Sequence, residues 1–152
     1  AKHITTTAKL PHAWEFIHDE IGYNYRLSNI NAALGCAQLE QLPAKLMAKR
    51  MLFKRYRDAF VLLEGAKLVV EPEQCCSNYW LQTIMLNGDQ VHQRDAILQA
   101  TNDAGFMTRP VWRLMHQLRP FTSCPRMDLT TAESLAQRLI NIPSSPSLVD
   151  NV

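Results

Sequence analysis

The stretch "HDEIGYNYRLSNINAALGCAQLEQL", residues 18–42, decides the fold of this chain. It joins a polar and aromatic turn, residues 22–26, directly to a segment rich in small residues. Ser28 or Asn29 is a suitable helix N-cap, because its side-chain oxygen can accept hydrogen bonds from first-turn amides. A glycine inside a helix destabilises the helix by about 1 kcal/mol relative to alanine. The expected reason for Gly35 is therefore packing, because a residue without a side chain lets another backbone approach closely. The stretch therefore predicts a tightly packing helix with an exposable polar cluster at its N-terminus.

A second helix is predicted to follow at once. Pro43 suits the first turn of a helix, since it lacks an amide donor that would stay unpaired there. Apolar residues recur at helical spacing from Pro43 to Glu64, and Gly65 is the expected C-cap. The opposite side is basic, which indicates a solvated face or, as the alternative, an anion site. Its residues are Lys45, Lys49, Lys54 and Arg57.

The rest of the chain predicts a small sheet with further helices. Residues 66–72 and 79–87 are typical of strands, residues 90–105 of an amphipathic helix, and residues 106–112 of a third strand or an extended segment. A last helix is predicted from Thr130 or Thr131, with Glu133 in a capping interaction, to just before Pro143. Because strands and helices do not alternate as βαβ units, the predicted class is α+β.

Composition and motifs exclude several classes of function. The chain has 152 residues, a formal net charge of +2 and no apolar run near the ~20 residues of a membrane span, so we expect one domain and no membrane partner. Its aromatic residues are spaced as core residues, which argues against nucleic acid as a partner. The five histidines form no His-x-x-x-His pair and the four cysteines no Cys-x-x-Cys pair, so no metal site is expected. Reduced thiols indicate a cytoplasmic protein.

Two polar and aromatic clusters remain as candidate sites. One is residues 22–26, ahead of a predicted helix N-terminus, and the other is residues 108–112, followed by His116. Helix N-termini, asparagine amides and arginine guanidinium groups all bind anions well. The alternative is structural: Tyr23 and Tyr25 would be half-buried packing residues, and Arg26 would pair with a nearby carboxylate.

The first cluster and its helix closely resemble the Gly-Tyr-Asn-Tyr-Arg…Ala-Ala-x-Gly-x-x-Gln-Leu signature of pyridoxal-phosphate-dependent nucleotide-sugar aminotransferases. This is the DegT/DnrJ/EryC1/StrS group, which includes perosamine synthetases. Residues 1–20 are most similar to the branch that makes amino sugars for legionaminic-acid or bacillosamine-type pathways. The segments "SNYWLQTIML", "TRPVWRLMHQL" and "TTAESLAQRLINIPSS" match the family in type and order.

The resemblance implies a fold and an assembly. Members of the family combine a large pyridoxal phosphate domain with a smaller C-terminal α+β domain, in the fold-type I arrangement, and act as homodimers with shared active sites. Residues 1–27 would end the large domain. Residues 28–152 would form the small domain, with a long helical hairpin and a mainly antiparallel sheet covered by helices. The N-terminal pyridoxal phosphate domain would be missing from this sequence.

The resemblance also implies a reaction. The parent enzyme would transfer an amino group from an amino acid, usually glutamate, to a nucleotide-linked keto-sugar in surface polysaccharide or nonulosonic-acid biosynthesis. The family's Schiff-base lysine lies in a Ser-Phe-x-x-x-Lys stretch followed by Gly-Glu-Gly-Gly, and no lysine here has that context. The chain alone should therefore be inactive, with an exposed apolar patch around Leu34, Leu39 and Phe53.

Roles for six residues follow from the same resemblance. Asn24 would contact the phosphate of the cofactor bound to the partner subunit. Tyr23 and Arg26 would shape that loop next to the substrate. The sugar nucleotide would face Arg109, Trp112 and His116. Two alternatives stay open: a stand-alone α+β binding or regulatory module, and, from the basic helix face alone, a nucleic-acid-binding domain.

Overall fold

The computed structural model describes residues 1–149 and contains two compact units. The first unit is Ala1–Leu42 and the second begins at Pro43. These two compact units do not test where the domains of a longer enzyme would divide. The division at residues 27 and 28 therefore stays a prediction.

In the first unit, the polar turn is held against the N-terminal residues. A short helix, α1 (Lys2–Thr5), precedes an irregular segment with two isolated antiparallel bridges, Thr6 to Asn24 and Lys9 to His18. Backbone hydrogen bonds join residues 4–7 to residues 23–25, among them Tyr23 N to Ile4 O at 2.7 Å. The prediction of an irregular or extended start is confirmed, apart from the turn of helix in α1.

The small-residue helix is confirmed, together with its N-cap. Helix α2 spans Asn29–Glu40, and the Ser28 hydroxyl accepts from Asn31 N at 3.3 Å. None of the residues of α2 is buried, and within the described part of the chain nothing lies within 4 Å of the Cβ that Gly35 would carry as alanine. The described residues thus do not supply the packing partner that Gly35 predicts.

The second unit is an antiparallel sheet with helices. The strands are β1 (Ala66–Leu68), β2 (Gln82–Leu86), β3 (Arg109–Pro110) and β4 (Leu139–Ile142), in the spatial order β1-β2-β4-β3. The α-helices are α3 (Leu42–Phe60), whose first residue still belongs to the first unit, α4 (Arg94–Asp103) and α5 (Thr130–Arg138). Short 3-10 helices cover Gly88–Gln93, Met115–Gln117, Arg119–Phe121 and Pro146–Val149. The predicted α+β class is confirmed.

The core of this unit lies on one face of the two central strands. Ile84 and Leu86 of β2 and Ile140 and Ile142 of β4 are buried, because alternate residues of a strand point to the same face. Side chains of α3 and α4 complete the cluster: Tyr56, Phe60, Ile97 and Leu98.

The prediction for the last helix was wrong at its C-terminal end. The helix stops at Arg138, and residues 139–142 form β4, the strand that joins β2 to β3. Leu139 already has an extended backbone, with φ −90° and ψ 133°. The run Leu-Ile-Asn-Ile fits both helical and alternating periodicity, and pairing with β2 along four residues decides between them. The predicted capping interaction is also absent from α5, which has no side-chain cap.

The second predicted helix is confirmed, but its end was wrong. Helix α3 ends at Phe60 rather than near residue 64. Gly65 adopts a left-handed backbone, φ +86°, in the turn before β1, where its carbonyl accepts from Asn87 N at 2.8 Å. Its conformational freedom is therefore used to begin the sheet rather than to cap the helix.

The basic side of α3 is only partly a solvated face. The Lys49 ammonium donates to three backbone carbonyls, those of Tyr79 at 3.2 Å, Trp80 at 3.0 Å and Ser144 at 2.7 Å. Burial lowers the pKa of Lys49 below its usual range. This lysine thus ties α3 to the segments that flank β2 and β4.

Candidate functional site

Gly22 lets the polar turn lie directly on the backbone of residues 7 and 8. A Cβ at Gly22 would stand 2.5 Å from Ala8 N and would also clash with the carbonyl carbon of Thr7. Thr7 and Ala8 both have left-handed backbones, with φ +72° and +49°. Ala8 is fully buried. Two consecutive non-glycine residues in this region indicate a strained turn that its surroundings hold in place.

Arg26 holds the turn from its C-terminal side. Its Nη2 donates to the Thr6 carbonyl at 3.2 Å, rather than to a carboxylate as the structural alternative expected. Asp19 instead contacts His3, with 2.6 Å between Oδ1 and Nε2, and this hydrogen bond lowers the pKa of Asp19. His18 Nδ1 donates to the Thr7 carbonyl at 2.7 Å. Side chains from both sides thus fix the turn against residues 3–8.

Asn24 presents its amide donors to solvent. The side chain is exposed, and its Oδ1 accepts from Arg26 N at 3.2 Å. This bond orients the oxygen towards the turn and leaves the two N–H donors for an outside acceptor. Tyr23 and Tyr25 are exposed rather than half-buried, and their rings stack at 5.9 Å. A neutral amide donor on a rigid turn fits one phosphate oxygen of a cofactor such as pyridoxal phosphate.

In the second unit, Arg109 and Trp112 line the same cavity. The cavity has a volume of about 1080 Å³ and runs along α3, β3 and the segment after β4. Trp80 also lines it, and its ring stacks on that of Trp112 with 5.9 Å between centroids and 23° between planes. Sequence analysis did not single out Trp80, since the two tryptophans lie 32 positions apart in the sequence and only the fold brings them together.

His116 lies elsewhere. It lines a separate, smaller cavity of about 310 Å³ together with Cys124 and Arg126. Its Nε2 lies 3.0 Å from Oε1 of Glu133, the residue predicted to cap α5. The structure thus brings Arg109 and Trp112 together but not His116, and its contact with the sugar nucleotide stays a prediction.

The exposed apolar patch is present only in part. Leu34 and Leu39 on α2 are 60% and 66% exposed. Phe53 is half-buried instead, because its ring stacks on Tyr79 with 4.3 Å between centroids. The expectation for Phe53 was therefore wrong, because an apolar position on a helix can also face a loop of its own unit.

A clamp around Glu71 fixes the loop that leads to Tyr79. Glu71 Oε2 accepts from Ser77 N at 2.6 Å, and Oε1 accepts from Arg50 Nη1 at 3.3 Å. Arg50 Nη2 also donates to the Ser77 carbonyl at 2.7 Å. The Ser77 amide first, and the Arg50 guanidinium second, hold the pKa of Glu71 below its usual range.

This clamp predicts an acid-sensitive fold. A carboxylate whose pKa is lowered by folding stabilises the fold above its unfolded pKa, near 4.5 for Glu71, and this stabilisation is lost as pH falls through the folded pKa. We expect Glu71→Gln to be less stable than the wild type at pH 7. Between about pH 5 and about pH 3, a range that brackets the usual carboxylate pKa, the variant should lose less stability than the wild type. Urea unfolding at each pH measures this. Glu64→Gln, an exposed control outside the clamp, should follow the wild type, and identical curves for both variants would contradict the prediction.

Within residues 1–149, no helix is long and apolar enough to cross a membrane. The same described residues contain no group of three or more His, Cys, Asp or Glu side chains placed to hold a metal ion.

The chain matches one known family, several named sequences and several solved structures. The profile of the DegT/DnrJ/EryC1/StrS aminotransferase family matches residues 5–152. EpsN of Bacillus subtilis (strain 168) is 33% identical and is matched over 99% of this chain, and GDP-perosamine synthase of Vibrio cholerae is 31% identical over 88% of it. Among solved structures, PseC of Helicobacter pylori, an aminotransferase involved in the biosynthesis of pseudoaminic acid, has a TM-score of 0.86 over 99% of this chain at 20% identity.

These matches cover only part of each relative. The chain spans 39% of EpsN, 36% of the Vibrio cholerae synthase and 42% of PseC. At 20% identity the likeness to PseC shows the fold alone. The aminotransferases of this family use pyridoxal phosphate, and one solved neighbour is described in its PLP-form. Because the family profile matches nearly the whole sequence, this chain belongs to the DegT/DnrJ/EryC1/StrS aminotransferase family.

Proposed function

We propose that this chain is the C-terminal part of a pyridoxal-phosphate-dependent aminotransferase that acts on a nucleotide-linked keto-sugar. The amino donor is an amino acid, with glutamate as the first candidate, and the product enters surface polysaccharide or nonulosonic-acid biosynthesis in the cytoplasm. The observation that carries the proposal is the turn of residues 22–26, which carries the family signature and presents Asn24 outward from a braced backbone.

The chain's share of the cofactor site is a phosphate contact. When bound, pyridoxal phosphate supplies an electron sink for moving an amino group between donor and acceptor. Asn24 would donate its amide N–H to a phosphate oxygen, and the contacts of Gly22 and Arg26 would keep that amide in place. Rigid support of this kind keeps a binding residue within the narrow range of productive positions.

On the substrate side, the second unit offers Arg109 and Trp112. A guanidinium binds phosphate oxygens in two parallel hydrogen bonds, and an indole packs on flat or apolar groups. Tyr23 and Arg26 would shape the substrate side of the first loop. His116 lies in another cavity, where it contacts Glu133, and its contact with the sugar nucleotide is proposed from the family resemblance.

The proposed assembly is a homodimer completed by an N-terminal pyridoxal phosphate domain. Helix α2 exposes Ile30, Leu34 and Leu39, all more than half accessible, and an apolar surface of this kind favours a protein partner. The Schiff-base lysine would belong to the N-terminal domain. Residues 1–152 by themselves would then bind no cofactor covalently and catalyse no transfer.

The test uses the complete natural polypeptide that contains residues 1–152, loaded with pyridoxal phosphate. Glutamate should convert the cofactor to its pyridoxamine form, and a nucleotide-linked keto-sugar should convert it back, both followed by absorbance. The isolated chain should do neither. A polypeptide without either half-reaction would overturn the proposal in favour of a stand-alone α+β binding module.

Asn24 gives a residue-level prediction. In the complete protein, Asn24→Ala should weaken retention of pyridoxal phosphate about tenfold, the equivalent of roughly one hydrogen bond to a charged group. Equilibrium dialysis against free cofactor measures this. The unfolding midpoint of the apoprotein should change little, because the side chain is exposed.

Asn24→Asp separates a phosphate contact from a turn-forming role. The aspartate keeps an acceptor for Arg26 N, so a purely structural role predicts normal cofactor retention. A phosphate contact predicts the opposite, because the carboxylate repels the phosphate and removes the donor. Retention by Asn24→Asp equal to that of the wild type would remove Asn24 from the site.

A further inference from the structure

The loop between β1 and β2 carries two adjacent cysteines. Cys75 and Cys76 are both exposed, and the Cys75 amide donates to the Pro72 carbonyl at 3.2 Å in a turn of this loop. Gln74, directly before them, has a left-handed backbone with φ +62°. Two exposed thiols in neighbouring positions are accessible to the same reagent. Their proximity makes a second thiol available to whichever one reacts first.

The two sulfurs differ in their surroundings. Arg50 Nη2 donates to Cys76 Sγ at 3.0 Å, whereas the other three cysteines have no such charged donor within the described part of the chain. The thiolate is the nucleophile in thiol chemistry, and a guanidinium at hydrogen-bonding distance offers an anionic sulfur a charged donor. Cys76 is therefore expected to react before Cys75.

The donor at Cys76 belongs to the clamp around Glu71. Arg50 Nη2 also donates to the Ser77 carbonyl at 2.7 Å, and Arg50 Nη1 donates to Glu71 Oε1 at 3.3 Å. The guanidinium is thus held in place before any reagent arrives, as a preorganised site requires. The same contacts couple the two features, because a change at the Cys76 sulfur acts on the guanidinium that orders the loop.

We propose that Cys75 and Cys76 form a reversible thiol–disulfide site, in which Cys76 attacks with Arg50 as its charged donor and Cys75 resolves. The oxidant is a low-molecular-weight disulfide. The Cys76 sulfur forms a bond to one sulfur of this disulfide, and the other sulfur leaves as a thiolate. Cys75 then attacks Cys76 Sγ, forms the bond within the pair and releases the second small thiol. The two electrons and two protons that the cysteines lose end in the two small thiols.

A bond between adjacent cysteines is readily reduced. Consecutive Cα atoms lie about 3.8 Å apart, below the usual range of about 4.4–6.8 Å for bridged cysteines. This strain favours the dithiol when small thiols are in excess, so the bond forms only when the small disulfide accumulates. Oxidation also removes the anionic acceptor of Arg50 at Cys76. We therefore expect the clamp to loosen in the oxidised protein and to form again on reduction.

The test exposes the complete natural polypeptide to oxidised glutathione, stops the reaction with acid and locates each product by peptide mass spectrometry. In the wild type, the peptide with both cysteines should lose two hydrogens. In Cys75→Ser, glutathione should stay on Cys76 as a mixed disulfide. In Cys76→Ser, Cys75 should react about tenfold more slowly than the wild-type pair, at a rate similar to that of exposed Cys124.

Two clamp variants assign the role of the guanidinium. Arg50→Gln should slow the reaction of Cys76 about tenfold, which corresponds to the loss of one charge-assisted hydrogen bond. Glu71→Gln is the matched control, since it weakens the clamp but keeps Arg50, and Cys76 should react in it at least as fast as in the wild type. Equal slowing by both variants would mean that the geometry of the clamp, rather than the charge of Arg50, controls the thiol, and would overturn the proposal.

The loop itself gives a second readout. Hydrogen exchange of the Ser77 amide, which donates to Glu71 Oε2 at 2.6 Å, should become several-fold faster after oxidation, and dithiothreitol should restore the slow rate. Equal reaction rates of Cys76 and Cys124 would overturn the site, as would a wild-type product that keeps glutathione and never forms the bond within the pair. Unchanged exchange of the Ser77 amide in the fully oxidised protein would overturn the coupling to the clamp.

Discussion

Replacing Gly22 with alanine is expected to destabilise the first unit by about 3 kcal/mol or more, the upper range for overpacking. The new Cβ would stand 2.5 Å from Ala8 N and against the carbonyl carbon of Thr7. Both atoms belong to backbone that is already in a left-handed conformation, so neither can move as a flexible side chain would. Hydrogen exchange of the Tyr23 and Thr7 amides, which are bonded across this contact, measures the effect.

Gly35→Ala is the matched control, because within residues 1–149 nothing lies near its Cβ. The position is inside α2, and in a helix interior alanine is more stabilising than glycine by about 1 kcal/mol. We therefore expect the alanine to stabilise the isolated chain, the opposite sign to Gly22→Ala. Equal destabilisation by both variants would contradict the close backbone contact at Gly22.

The second large effect is expected at Lys49. Lys49→Met should lower the free energy of unfolding of the second unit by about 3 kcal/mol, within the range for hydrogen bonds from a charged donor. Two of its three acceptors are partly buried and the third is exposed. The three carbonyls it serves, at Tyr79, Trp80 and Ser144, match the three N–H donors of an ammonium. Burial lowers the pKa of Lys49 below its usual range. Urea unfolding followed by far-UV circular dichroism gives the value.

Lys54→Met on the same helix is the control, since Lys54 is exposed. It should change stability by less than about 0.5 kcal/mol, as surface substitutions usually do. The methionine keeps a similar apolar stem in both variants, so a difference between them reports the ammonium contacts. Similar effects at both positions would mean that the three carbonyls find other donors and that Lys49 is not a structural link.

Local interactions explain why part of the fold follows from the sequence. Ser28 caps α2 because its hydroxyl reaches an amide three residues along the chain, and this geometry is the same in any fold. Residues 139–142 form a strand instead, although their apolar pattern also fits a helix. Pairing with β2, which lies more than 50 residues earlier, decides the conformation of such a run.

The sequence by itself determined the α+β class, the N-terminus of α2 and the family signature of residues 22–26, because caps, periodicity and motifs are properties of neighbouring residues. Only the tertiary structure decided that Trp80 stacks on Trp112 and that His116 contacts Glu133 in another cavity. The same holds for Lys49, whose ammonium donates to three backbone carbonyls. Each of these contacts joins residues 17 to 95 positions apart. Bringing such distant residues together costs loop-closure entropy, so these contacts depend on the rest of the fold and do not follow from the local sequence.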